Sequence, residues 1–240
     1  MINKGGIITN AGTTKPVHVQ PADFHTIRWS VEDGIGLLLI GHPPSNSMTM
    51  EFFAEFRRWM KLISEVDALN AIVIHGNGRH FSSGADLDEL LENVNEATML
   101  DNYHCFSALG QLEIPVISAI SGICLGSAFE LALMSHFRIC SANALVGLPE
   151  AGFNLMPGIG GISSVANLTG RAGALEIVMR GMSFAAADAL EMGLVDAVVS
   201  KQELLPCAMN FARALPGRIS REGRKIYILK YLTSLNACKS

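Results

Sequence analysis

The sequence has few charged and few aromatic residues: 17% of its 240 residues are charged and 7% are aromatic. Its net charge is −4, and it has no long basic run. This charge balance argues against nucleic acid or an anionic membrane surface as the main partner. Hydrophobic residues make up 49% of the chain, which predicts a sizeable buried core rather than extended disorder.

The chain also lacks a CxxC pair and a long apolar run. Its five cysteines are an odd number, which fits a reduced compartment in which the thiols act as small core residues. The longest apolar region, 114–125, is short and contains Ser118, Ser121 and Gly122, so it does not resemble a membrane-spanning helix. We therefore expect a cytoplasmic protein that does not cross a membrane.

Hydrophobic patterning predicts an α/β fold, because strand-like and helix-like segments alternate over the first two thirds of the chain. From about residue 158 onward the pattern is mainly helical. The predicted strands are 26–31, 35–40, 71–75, 115–120, 137–140, 144–148 and 194–198. The predicted helices are 50–64, 86–94, 98–112, 127–135, 161–168, 172–180, 185–192, 203–214 and 219–235.

The same pattern suggests three segments. Residues 1–23 are expected to form an irregular N-terminal extension, because they contain scattered Gly and Thr and no extended apolar stretch. Residues 24–198 are expected to form the α/β core, and 199–240 a C-terminal helical region.

Two glutamates in apolar surroundings, Glu130 and Glu150, are the first candidates for chemistry. A buried carboxylate is costly, and two carboxylates in different environments can act as one acid and one base. Glu130 lies in the first turn of a predicted helix, where the helix dipole is expected to lower its pKa and favour a base that activates water. Glu150 follows an apolar strand, where burial is expected to raise its pKa and favour a proton donor.

Two predicted junctions between a strand and a helix place a glycine just before the helix. Gly84 precedes Ala85 in the first junction, and Gly126 precedes Ser127 in the second. Backbone N–H groups at the start of a helix lack partners within the helix. If the junctions lie side by side, the N–H groups of Ala85 and Ser127 can bind one oxygen, as an oxyanion hole does.

Each of these features also has a purely structural interpretation. The spacing of Asp86 and Glu89, and that of Ser127 and Glu130, fits a capping box that needs no chemistry. Glu150 by itself fits a buried ion pair. The candidate partners for that ion pair are Arg138 and Arg171.

Taken together, the motifs between about residues 25 and 215 resemble those of the crotonase superfamily, the enoyl-CoA hydratase/isomerase family. Their order and spacing carry the resemblance, since no one motif is specific enough. The matching segments are Phe81–Leu87, Pro115–Gly122, Leu125–Ala132, Pro149–Glu150, Pro157–Gly161, Gly181 and Ala189–Val195.

The resemblance implies a spiral of ββα units, with a C-terminal helical region that assembles homotrimers or homohexamers. It also implies an acyl-CoA substrate whose thioester carbonyl lies in an oxyanion hole formed by Ala85 and Ser127. It implies no metal or redox cofactor, and coenzyme A enters as part of the substrate. The substrate-binding positions would be Ser83, Gly84, Asp86, Leu87 and Gly126.

Hydratases of this family use two glutamates, and the matching positions are Glu130 and Glu150. Isomerases typically keep only the second carboxylate, so the resemblance favours hydration of a 2-enoyl-CoA to a 3-hydroxyacyl-CoA. An isomerase, a specialised dehydratase and a weakly catalytic binding protein are the alternatives.

Two residues depart from the family pattern. Ser127 replaces a common glycine, which leaves the backbone N–H but adds a hydroxyl. His136 replaces a common aspartate and is interpreted as structural.

The C-terminal predicted helix is rich in basic residues. The cluster fits either a solvated helix face or a contact with the phosphates of coenzyme A. Its members are Arg218, Arg221, Arg224, Lys225 and Lys230.

Overall fold

A computed structural model describes residues 24–63, 69–93 and 95–215. These residues form an α/β fold, as predicted. The strands are β1 (Ile27–Glu32), β2 (Ile35–Ile40), β3 (Ala71–Gly76), β4 (Val116–Ile120), β5 (Ile123–Leu125), β6 (Phe137–Ser141), β7 (Leu145–Gly147), β8 (Ser183–Ala185) and β9 (Ala197–Val199). The helices are α1 (Met50–Ile63), α2 (Leu87–Asn93), α3 (Glu96–Gln111), α4 (Ser127–Met134), α5 (Gly161–Arg180), α6 (Ala186–Glu191) and α7 (Leu204–Ala214), with a 3₁₀ helix at Pro149–Phe153.

The strands form two sheets. The larger has the order β1-β2-β3-β4-β6-β9, and the smaller has the order β5-β7-β8. In the larger sheet β1 and β2 are antiparallel, and every following pair is parallel. The antiparallel pair turns at Asp33 and Gly34, both of which have positive φ, as the Asp-Gly turn signal predicts.

The central strand β3 is buried on both faces, which explains why its sequence is a continuous apolar run. Since successive side chains of a strand point to opposite faces, Ile72 and Ile74 join the core on one side, and Ala71 and Val73 join the core on the other. The first core includes aromatic residues of α1. The second is covered by α7, whose Phe211 packs edge-on against another ring at 4.8 Å between centroids.

The helical predictions between 161 and 192 are confirmed with one refinement. The two segments predicted at 161–168 and 172–180 are both helical, and a kink at the non-helical residue Gly170 (φ 75°, ψ 170°) separates them within α5. Two short strands, β5 and β8, were not predicted, and the last strand lies at Ala197–Val199 rather than at 194–198. Three-residue strands are too short to show a period.

The proposed segment boundaries stay predictions. The N-terminal extension, 1–23, and the basic helix predicted at 219–235 lie outside the described residues. Of the predicted C-terminal helical region, α7 is described, and it packs on β3, β4 and β6. None of the helices in the described ranges is both long enough and apolar enough to cross a membrane.

Candidate active site

The two glycine-containing junctions are in direct contact. Gly84 has φ +94°, and a Cβ atom placed on it would lie only 2.4 Å from the carbonyl oxygen of Leu125. Only glycine tolerates both this conformation and this approach. The contact is reinforced by a short parallel bridge between Ser82 and Cys124. The end of β5, which leads into α4, therefore lies against the loop that follows β3.

The backbone nitrogens of Ala85 and Ser127 both lie beside this contact, since Ala85 follows Gly84 and a Cβ on Gly84 would lie 3.5 Å from the nitrogen of Ser127. Met48 donates its N–H to the Gly84 oxygen (2.8 Å), and Asp86 donates its N–H to the Met48 oxygen (3.0 Å). Because peptide groups alternate in direction along an extended segment, the N–H of Ala85 points away from Met48. The N–H of Ser127 begins α4 and has no acceptor within the helix. No described residue accepts a hydrogen bond from either group.

Glu130 lies one turn into α4 and is only 1% exposed. Its Oε1 accepts hydrogen bonds from the N–H groups of Ile159 and Gly161, both at 2.8 Å. A Cβ on Gly161 would lie 2.9 Å from the Cγ of Glu130, so the glycine makes room for the carboxylate. The second oxygen, Oε2, accepts no hydrogen bond from the described residues.

The pKa of Glu130 is raised from 4.5 to about 7, mainly because burial removes the carboxylate from water. The two backbone N–H donors oppose this shift, and the nearby charge of Glu150 adds to it. The sequence-based prediction that the helix dipole lowers this pKa was therefore wrong in direction. Loss of hydration outweighs the favourable backbone dipoles at this position.

Glu150 lies in the first turn of the 3₁₀ helix Pro149–Phe153. Its Oε1 lies 3.2 Å from the position of a Cβ on Gly126, so a side chain there would crowd the carboxylate. Its Oε2 is enclosed and has no hydrogen-bond partner among the described residues. Burial raises the pKa of Glu150, as predicted, while its own backbone N–H opposes the rise.

The structural alternatives for the two glutamates are not observed. Ser127 makes no side-chain cap at the start of α4, whose N-cap residue is Gly126. In the described part of the chain no ion pair joins Glu150 to Arg138 or Arg171. Arg138 instead pairs with Asp196 at 3.1 Å. The two structural alternatives, a capping box at Ser127 and an ion pair at Glu150, were therefore wrong.

Capping is observed at the other candidate pair. Asp86 Oδ1 accepts a hydrogen bond from the Glu89 N–H at 3.2 Å. Glu89 does not complete the capping box, because its Oε2 accepts the N–H of Met50 at 2.7 Å. Asp86 does not line the cavity described below, whereas the other residues predicted to bind substrate do.

A cavity of about 570 Å³ brings these groups together, a volume typical of small-molecule sites. Both glutamates line it, and so do both candidate oxyanion-hole residues. Most of the remaining wall is apolar. Parts of it come from residues 90–102 and 153–156. The main apolar side chains are Phe53, Leu90, Leu91, Met99, Phe153 and Met156.

Several contributions to the site were missed by sequence reasoning. Phe53 of α1 reaches the cavity, yet its sequence position looks like that of any core residue of an amphipathic helix. The N–H donors of Ile159 and Gly161 lie 29 and 31 residues from Glu130, and nothing local indicates the contact. The glycine pair at 160 and 161, in a segment that matched the family motif, was the one available signal.

His136 has the structural role that was predicted for it. Its Nδ1 accepts a hydrogen bond from the N–H of Val116 at 2.9 Å, at the start of β4. Within residues 24–63, 69–93 and 95–215, no three His, Cys, Asp or Glu side chains form a group that could hold a metal ion.

Known proteins resemble this chain in sequence and in fold. Residues 30–226 match the family model described as enoyl-CoA hydratase/isomerase. The chain is 36% identical over 203 residues to the fatty acid oxidation complex subunit alpha of Shewanella amazonensis, which covers 81% of this chain and 28% of that protein. The chain therefore spans less than a third of the length of this curated relative.

Two solved structures show the same fold. Pseudomonas aeruginosa DspI is 29% identical, with a TM-score of 0.77 and coverage of 86% of both chains. An enoyl-CoA hydratase from Bacillus anthracis is also 29% identical, with a TM-score of 0.74 and coverage of 79% of this chain and 76% of that chain.

Proposed function

This chain belongs to the enoyl-CoA hydratase/isomerase family, and we propose that it adds water across the double bond of a 2-enoyl-CoA thioester to give a 3-hydroxyacyl-CoA. One observation carries the proposal: the buried carboxylate of Glu130, the half-buried carboxylate of Glu150 and two backbone N–H groups without an acceptor among the described residues line the same largely apolar cavity. Hydration needs both kinds of group, since a proton must leave water, another must reach carbon, and charge must accumulate on the carbonyl oxygen.

In the proposed reaction the thioester oxygen accepts hydrogen bonds from the N–H groups of Ala85 and Ser127. The water oxygen bonds to C3 while Glu130 takes one water proton. The electron pair of the double bond moves toward the carbonyl oxygen as an enolate, and Glu150 delivers a proton to C2. One proton then passes from Glu130 to Glu150, directly or through solvent, and this transfer restores the starting state.

The environments of the two carboxylates suit these roles. A general base is most effective when its pKa is near the working pH, and the pKa of Glu130 is about 7. Its Oε1 is held by two N–H donors, which leaves Oε2 for the water. Burial raises the pKa of Glu150, so a larger fraction of it is protonated and able to donate.

The oxygen of the product tests this proposal against isomerisation. Purified protein is incubated with crotonyl-CoA in water enriched in oxygen-18, and the product is analysed by mass spectrometry. We expect a 3-hydroxybutyryl-CoA that carries the label at C3. A longer 2-enoyl-CoA that yields only its shifted-alkene isomer, without label, would favour an isomerase, and binding without turnover would favour a binding protein.

We further propose that the reaction needs no metal or redox cofactor and that the chain works in the cytoplasm on acyl-CoAs of fatty acid metabolism. As an assembly we propose a homotrimer or homohexamer that does not bind nucleic acid. Turnover that survives dialysis against a chelator, and a mass by light scattering of three or six chains, are the expected results. Loss of turnover on dialysis, or a monomer mass, would contradict these two points.

A further inference from the structure

One polar side chain in the cavity has no role in the proposed reaction. Asn102 lies on α3, is only 3% exposed, and lines the cavity together with Phe53 and Met99. An amide buried among apolar side chains is costly unless its donors and acceptor find partners. The partners of Asn102 therefore indicate what this part of the cavity is built to bind.

The acceptor of this amide is already occupied. Arg57 of α1 donates a hydrogen bond from its Nη1 to the Oδ1 of Asn102. A guanidinium group can only donate, so the amide oxygen must face Arg57 and the amide nitrogen must face the other way. The contact thereby fixes the orientation of the Asn102 side chain.

The donor side of the amide has no partner in the described part of the chain. Asn102 Nδ2 makes no hydrogen bond with a described residue. It is also not fully enclosed, so the atom keeps some accessible surface. Asn102 is almost fully buried, and the small accessible surface that the residue retains lies at the cavity that it lines. The positively charged Arg57 polarises the amide and strengthens Nδ2 as a donor.

We propose that Asn102 is a specificity-determining residue that selects an acyl chain carrying an oxygen acceptor, such as a hydroxyl or oxo group, over a plain alkyl chain. This inference rests on the proposed function, because it assigns the substrate class of the same site. A plain alkyl chain would bury Nδ2 without accepting a hydrogen bond from it. An oxygen on the acyl carbon nearest to Nδ2 would accept that hydrogen bond. An unpaired buried donor reduces binding by roughly tenfold to a hundredfold.

The test compares 2-decenoyl-CoA with analogues that carry one hydroxyl group on a carbon from four to ten. We expect at least one analogue to exceed 2-decenoyl-CoA in kcat/KM by about tenfold or more with the natural sequence. Asn102→Leu, which is similar in size and cannot donate, should remove that preference. The double variant Arg57→Met with Asn102→Leu leaves no unpaired guanidinium group and should behave in the same way.

A preference that survives in both variants, or no preference for any analogue in the natural sequence, would overturn the inference. Affinities of the saturated decanoyl-CoA and hydroxydecanoyl-CoA, measured by calorimetry, separate this result from failure of the proposed reaction. Binding that prefers the hydroxylated chain and depends on Asn102, without turnover, would support the inference and contradict the hydratase. Turnover that ignores the hydroxyl group would support the hydratase and contradict the inference.

Discussion

Two regions of this molecule bury a glutamate, and they treat the carboxylate in opposite ways. Glu55 of α1 is 2% exposed, and backbone N–H groups of residues 25, 26 and 27 donate to it at 2.6 to 3.2 Å. The hydroxyl of Thr26 adds a fourth donor at 2.6 Å. Both oxygens are therefore occupied, and the contact ties the start of β1 to α1.

The cavity region leaves its carboxylates incompletely paired. Glu130 has two donors, both on Oε1, and the Oε2 of Glu150 has no partner among the described residues. Burial alone therefore does not distinguish the carboxylates proposed to act in catalysis from the structural carboxylate of Glu55. The difference lies in the oxygen atoms that remain available to a substrate, a water molecule or a proton.

We expect the greatest loss of activity from a substitution of Glu150, one of the two cavity carboxylates. Glu150→Gln keeps the shape of the side chain but cannot deliver a proton, so we expect kcat/KM for crotonyl-CoA to fall by roughly 10²–10⁴-fold. The matched control is Glu176→Gln, an exposed residue of α5 paired with Arg180. Equal activity of the two variants would contradict the role of Glu150.

A smaller loss of activity is expected when the backbone N–H of Ser127 is removed. Ser127 is the first residue of α4, where proline is tolerated, so Ser127→Pro removes the N–H and keeps a helix start. Loss of one oxyanion donor should lower kcat by roughly 10²–10³-fold. Ser127→Gly keeps the N–H and should stay within about tenfold of the natural sequence. Similar activity of the proline and glycine variants, both with normal circular dichroism, would rule out this donor.

The pKa of Glu130 predicts a dependence of stability on pH. Its folded-state pKa of about 7 lies above the unfolded value of 4.5, so the folded protein holds the proton more tightly. The free energy of unfolding should therefore fall as pH rises from 4.5 to 7, by about 3 kcal/mol from this group. Glu130→Gln should remove this part of the slope in urea unfolding at a series of pH values. An unchanged slope would mean that Glu130 titrates normally.

We expect the weakest effect on activity from a substitution of Glu55, the structural carboxylate. Glu55→Gln places an amide NH₂ against backbone donors, so we expect the free energy of unfolding to fall by about 1–3 kcal/mol. The kcat/KM of the folded variant should stay within about twofold of the natural sequence. If Glu55→Gln kept the free energy of unfolding of the natural sequence but lost turnover, the structural role of Glu55 would be contradicted.

The fold was largely predictable because its signals are local. The apolar run of β3 and the Asp-Gly turn at Asp33 and Gly34 report burial and chain reversal directly. The site was predictable only in part. The two glutamates were found as carboxylates in apolar sequence, and the junctions as glycines that precede predicted helices. The pKa of Glu130, in contrast, depends on burial and on donors from a distant loop. The orientation of Asn102 depends on Arg57, 45 residues away, and no local pattern encodes it.

The most direct test of the proposed role of Glu130 is to measure kcat/KM for crotonyl-CoA hydration at pH 7 in Glu130→Gln and Glu55→Gln side by side. We predict that Glu130→Gln loses roughly 10²–10⁴-fold in kcat/KM while remaining at least as stable as the natural sequence. Glu55→Gln should keep its turnover and lose stability. Full activity in Glu130→Gln would contradict the claim that the incompletely paired carboxylate performs the chemistry.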